Sequence, residues 1–115
     1  MKTYDKWQKR SPEADALLKR VRQELLSIVP GADVVLYGSH GRGEADELSD
    51  WDFLILVDRP LDREMITTIK DRLYDLELET DTVLSSIIRT RAEWYSPQYA
   101  VLPFKRVVEE EGVLL

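Results

Sequence analysis

Asp50 and Asp52 stand one residue apart just before the apolar run "FLILV", and a glycine-rich segment, "GSHGRG", ends an earlier apolar run, "DVVLY". Both features are of types that do chemistry. Glycines let the backbone come close to a ligand with its N–H groups exposed. Two carboxylates at the start of a strand point to one face, with α-carbons about 6.5–7 Å apart, near enough to reach one cation or a close pair of cations. Asp52 also shares parity with Leu54 and Leu56, which should face the core, and a carboxylate on that side is costly unless paired or bound to metal. Hard oxygen ligands of this kind favour Mg²⁺, which keeps several waters and is completed by substrate phosphates. The plain alternative is a solvated polar entrance to a strand.

The two halves fit one ligand. Donors from the Gly38-Ser39 turn would hold the outer phosphates of a nucleoside triphosphate, and Asp50 and Asp52 would hold Mg²⁺ on the inner ones. That arrangement serves attack at the α-phosphorus with pyrophosphate leaving, and metal ions about 3.5–4 Å apart would stabilise both the attacking and the leaving oxygens. Two other phosphate templates fail. No Lys-Ser or Lys-Thr follows the glycines, as a Walker A loop requires, and Gly38, Gly41 and Gly43 are spaced G-x-x-G-x-G, not G-x-G-x-x-G.

The elements that would position these residues are readable. Ser11 is a plausible N-cap with Pro12 at the first helical position, and Leu17, Leu18, Val21, Leu25 and Ile28 recur at helical spacing. "PGAD" ends that helix. "DVVLY" and "WDFLILVD" predict strands, the second apolar enough to be covered on both faces. Met65, Ile66, Ile69, Leu73 and Leu76 predict a second long helix from Asp62 to about Glu79, and "TVLSSII" a third strand. In the tail, "FKRVVEEE" predicts a short helix stopped by Gly112. The order predicts an α/β or α+β domain spanning residues 1–115, with helices packed on one small mixed sheet.

Composition narrows the function. The chain has 115 residues, one domain's worth, with 43% hydrophobic and 33% charged residues, as expected of a globular protein. Cysteine is absent, which removes disulfides and thiolate zinc sites. "MKTYDKWQKR" has no apolar leader core and no apolar run could cross a bilayer, so no membrane contact and a cytoplasmic location are expected. A net charge of −6 argues against an extended nucleic-acid surface. Glu44, Asp46, Glu47, Asp50 and Asp52 would repel a bare polyanion but accept one arriving with a divalent cation.

"GSHGRGEADELSDWD" resembles the nucleotidyltransferase signature of the DNA polymerase beta superfamily, G-S-x3-G followed by S-D-x-D, with ten residues from Ser39 to Ser49. Spacing and length are most similar to its minimal nucleotidyltransferase branch, often paired with a helical HEPN partner in toxin–antitoxin modules. The resemblance implies the polymerase-beta palm-like fold. It makes Gly38 and Ser39 the triphosphate-binding turn, Asp50 and Asp52 the metal ligands and catalytic pair, and Arg42 a retained basic position for the nucleotide. It also implies Mg²⁺ as cofactor, ATP or another NTP as substrate, and a HEPN-type protein or a second copy as partner. Many members have Arg-Ala where this chain has His40-Gly41. Active members usually carry a third carboxylate on a later strand, and the corresponding residue here is Ser85. Asp81 shares the strand parity but would lie about 13 Å away along an extended strand, and Glu77 and Glu79 fall in the helix end.

The expected activity is therefore Mg²⁺-dependent transfer of a nucleoside monophosphate to a hydroxyl acceptor, in the antitoxin case a partner protein. The alternative is a catalytically inactive protein that binds nucleotide or partner. A third reading, modification of a small molecule such as an antibiotic, lacks a visible acceptor-binding domain. Of the remaining residues, His40 is expected to face solvent, and Trp7, Trp51 and Trp94 to pack. Trp51's ring should point away from the aspartates. Arg42 has Glu44 and Asp46 as alternative partners, Ser49 a structural role, and Glu109 to Glu111 form a solvated helix face.

Overall fold

The computed structural model describes residues 1–7, 11–45 and 49–115. A short strand β1 (Lys2–Thr3) leads through a 3₁₀ turn to helix α1 (Pro12–Ile28), then to strand β2 (Asp33–Tyr37) and helix α2 (Gly38–Arg42). Strand β3 (Trp51–Val57), helix α3 (Arg63–Thr80) and strand β4 (Leu84–Thr90) follow. Three helices, α4 (Arg91–Trp94), α5 (Pro97–Ala100) and α6 (Pro103–Glu111), precede the final strand β5 (Val113–Leu114).

The long helices begin where their capping residues predict. Ser11 accepts a hydrogen bond from the Ala14 amide and Asp62 one from the Met65 amide, each satisfying a donor that the helix itself leaves unpaired. The short helix predicted over 104–111 is also found, one residue longer as Pro103–Glu111, and Gly112 ends it for a reason other than left-handed geometry. Its φ is −68°, but a Cβ there would lie 2.5 Å from the Val108 carbonyl oxygen and 2.9 Å from a Val35 methyl.

The five strands form one mixed sheet in the order β1-β5-β2-β3-β4. β2 and β3 are antiparallel, with Val35 opposite Leu54 and Tyr37 opposite Asp52, while β3 and β4 run parallel with α3 as the crossover. Helices α1 and α3 cover one face. Leu18, Val21 and Leu25 of α1 and Ile69, Leu73 and Leu76 of α3 meet Val34, Leu36, Phe53, Ile55 and Val57 there. The alternate residues Val35, Leu54 and Leu56 face the other side, where Trp94 and Val108 close a smaller cluster. Phe53 through Val57 are all buried, so the strand read as covered on both faces is covered on both. A mixed sheet packed with helices is what the element order predicted.

Three local expectations are corrected. The "GSHGRG" segment is not an open turn: Gly38–Arg42 winds into a five-residue helix closed by Gly43. β4 starts at Leu84, not at Thr82, and Asp81 caps the C-terminus of α3 in a left-handed conformation, so it has no strand parity at all. β1 and β5, two residues each, pair only across long separations and carry no local periodicity.

Candidate active site

The site lies where β2 ends and β3 begins. Tyr37, the last residue of β2, is paired with Asp52, so the chain that turns into α2 starts directly beside that carboxylate. Gly38 sits there at φ +75°, and a Cβ on it would fall 2.4 Å from Asp52 Oδ2. Only glycine meets both demands, the left-handed backbone and the contact. The glycine and the aspartate, distant in the motif, are one piece of geometry.

β4 brings Ser85 into register with Asp52 on its other side. Asp52 is thus flanked by Tyr37 and Ser85. Glu77 is not a spare acid, because its carboxylate accepts the Leu84 amide at the start of β4 (3.1 Å). Glu79 is ion-paired with Arg20 at 2.7 Å. Asp50 precedes the strand, which begins at Trp51, so the ladder does not fix it on the face of Asp52. Asp46 and Glu47, the other acids of the local run, and with them the pairing of Arg42 with Asp46, lie outside the described residues.

Among the described residues, neither Asp50 nor Asp52 has a hydrogen-bond donor or a salt-bridge partner. Burial pushes the Asp52 carboxyl above the ordinary range and the Asp50 charge adds to this, while His40 and Arg42 pull the other way. Burial, with the Asp52 charge, also raises the Tyr37 phenol. A half-buried, unpaired carboxylate next to a second one is a place where a cation lowers the energy, which is the observation that fits a divalent metal. No group of three or more His, Asp or Glu side chains able to hold a metal occurs among the described residues. The pair would need water and phosphate oxygens to complete a shell, as Mg²⁺ commonly does.

His40 departs from expectation. It is half-buried, its ring lies 3.5 Å from that of Trp51 at an interplanar angle of 9°, and Nε2 donates to the Ser49 carbonyl at 3.0 Å. It therefore ties α2 to the approach of β3. Trp51 does turn away from the Asp52 face and packs against the larger cluster. Trp7 and Trp94 are buried, and the Trp7 indole N–H donates to the Gly41 carbonyl (3.2 Å). His40, Trp51, Trp7, Leu17, Arg20 and Thr82 line a cleft of about 580 Å³ at this end of the sheet.

Arg42 reaches Glu44 and also Glu111, each at 3.1 Å. Glu111 is therefore not part of a purely solvated face. Reading the sequence alone missed Glu111 and Tyr37: the first is 69 residues from its partner, and the second reads as the end of an apolar run. No helix among the described residues is long and apolar enough to cross a membrane.

No protein among the curated ones matches the chain. The family model of the nucleotidyltransferase domain does, over residues 18–115. That span runs through β2, β3, β4 and β5 and the helices on both faces. The chain belongs to the nucleotidyltransferase domain family, and nucleotidyl transfer is the class of activity that this membership supports.

Proposed function

We propose that the Gly38–Asp52 end of the sheet binds Mg²⁺ with a nucleoside triphosphate, most plausibly ATP, and passes the nucleoside monophosphate to a hydroxyl acceptor. The observation that carries this reading is the close approach of Gly38 to an Asp52 carboxylate that is paired with no cation among the described residues. Asp50 and Asp52 would hold the metal, which when bound neutralises charge on the phosphates and on the leaving group. The Gly38-Ser39 segment would lie along the triphosphate, and Arg42 would add a cation beside it. The acceptor oxygen bonds to the α-phosphorus, the bond from that phosphorus to the bridging oxygen breaks, and pyrophosphate leaves. With Ser85, not a carboxylate, in register with Asp52, the hydroxyl proton passes to solvent or to a base brought by the acceptor.

The acceptor we favour is a hydroxyl on a partner protein, in the manner of an antitoxin that modifies a helical HEPN-type toxin; a second copy of this chain is the other candidate. The test is incubation with α-³²P-labelled ATP and Mg²⁺, with and without co-purified partner, beside the Asp50→Asn/Asp52→Asn double variant. Label transferred by the wild type alone supports the enzyme. Equal transfer by both proteins refutes it.

Ser85 favours a second reading, in which the domain binds nucleotide or partner without turnover. In cells expressing a cognate toxin, a binding-only protein still protects after Asp50 and Asp52 are changed to Asn, and an enzyme does not.

A further inference from the structure

Arg42 is held by two carboxylates that differ in kind. Its Nη1 donates to Glu111 Oε2 and its Nε to Glu44 Oε2, both at 3.1 Å and each through one bond, so neither pair is the two-pronged fork that Arg makes with a fully committed carboxylate. Nη2 has no partner among the described residues. Glu111 sits in the last turn of α6, a nine-residue helix, with a side chain only 29% exposed. Its backbone is packed on the site: a Cβ on Gly41 would lie 3.3 Å from the Glu111 carbonyl oxygen. Glu44 follows the end of α2 and its side chain is 69% exposed. The Glu111 hydrogen bond is also the largest cause that makes Arg42 hold its proton more firmly, ahead of Glu44.

We propose that Glu111 is the fixed anchor that aims Arg42 at the nucleotide, and that Glu44 is a place-holder which a polyphosphate displaces. The proposal rests on the reading of this end of the sheet as a Mg²⁺–NTP site. An exposed carboxylate pair is worth little, because water solvates both partners and holding the side chains costs entropy. A phosphate bearing more charge displaces it from Nε and also takes the open Nη2. Nη1 stays on Glu111, so Arg42 bridges α6 to the ligand. The exchange also moves one negative charge away from a site that already contains Asp50 and Asp52. Glu111 is a positioning residue here, since it acts on the nucleotide only through Arg42.

The two carboxylates should therefore respond with opposite signs, which a merely structural role for either would not produce. Isothermal titration with Mg²⁺ and α,β-methylene-ATP, which resists cleavage at the α-phosphorus, would compare the wild type with Glu44→Gln, Glu111→Gln and Arg42→Ala. We expect roughly 2–5-fold tighter binding for Glu44→Gln, about 3–10-fold weaker for Glu111→Gln and at least about tenfold weaker for Arg42→Ala. Melting temperatures should stay close to that of the wild type. Glu44→Gln and Glu111→Gln shifting affinity in the same direction, or neither shifting it while Arg42→Ala weakens binding, overturns the anchor and place-holder roles. Unchanged affinity in Arg42→Ala overturns them too, but leaves the site reading intact if the Asp50→Asn/Asp52→Asn protein has lost binding. Binding that survives in that double variant, or is absent from the wild type, removes the site reading and the proposal with it.

Discussion

β3 carries acidic residues at both ends, and the two ends are treated differently. Beyond Val57, Asp58 and its neighbour Asp33 on β2 are both held by Arg91, at 2.6 and 3.0 Å, and the same guanidinium donates to the Gly31 carbonyl. Their charge is answered inside the chain. Before Phe53, Asp50 and Asp52 have no such cation among the described residues, and Arg42, whose charge acts on Asp52, is turned to Glu44 and Glu111. The closed end acts as a brace at the end of the sheet. The open end stores repulsion and burial cost that a cation from outside would relieve.

The largest effect expected from this contrast is on activity. Asp50→Asn/Asp52→Asn should lower labelled-nucleotide transfer by about 1000-fold or more, equivalent to ~4 kcal/mol, whereas Asp33→Asn/Asp58→Asn should leave the rate within about twofold. Comparable losses from both pairs would erase the distinction. Next in size is Gly38→Ala. The added methyl meets the Asp52 carboxylate and the φ of +75° becomes strained, so chemical denaturation should show a loss of about 1–3 kcal/mol together with loss of nucleotide binding.

Arg91→Ala works on the closed end. It should cost about 1–2 kcal/mol in the same denaturation experiment without changing nucleotide affinity, because the pairs it breaks are partly exposed. The smallest effect is one of sign. The folded Asp52 carboxyl binds its proton more tightly than in the unfolded chain, so its contribution to stability is full below the ordinary carboxylate pKa and is lost as pH rises through the raised value. Asp52→Asn removes that loss. The ligand-free variant should be more stable than the wild type at pH 7, by roughly 1 kcal/mol or less after solvent screening, with the gap closing in acid. A variant less stable at pH 7 would mean that a cation or donor already serves Asp52.

What could be read from the sequence was what short-range physics determines. Ser11 and Asp62 announce helices, the 3–4 spacing of Leu18, Val21 and Leu25 gives a buried face, and Gly38, Ser39, Asp50 and Asp52 lie in one stretch. The family pattern also points to Ser85, which the sheet register sets beside Asp52, although β4 begins later than its apolar run suggests. The rest depends on distance. Three glycines and a serine within six residues look like a turn, and Gly38–Arg42 becomes a helix because it packs between β2, β3 and α6. Glu111 meets Arg42 only after the sheet and α6 have formed. His40 looked solvent-facing because nothing local reveals that Trp51, eleven residues on, will stack against it.

The most direct test of the open end is ¹⁵N NMR of the protein titrated with Mn²⁺ and α,β-methylene-ATP, in which the paramagnetic ion broadens nearby amides. The account predicts early loss of the Gly38, Asp50, Asp52 and Ser85 signals while those of Asp33, Asp58 and Arg91 stay sharp. Broadening centred on Asp33 and Asp58, or none at Asp52 at saturating Mn²⁺ and nucleotide, would contradict it.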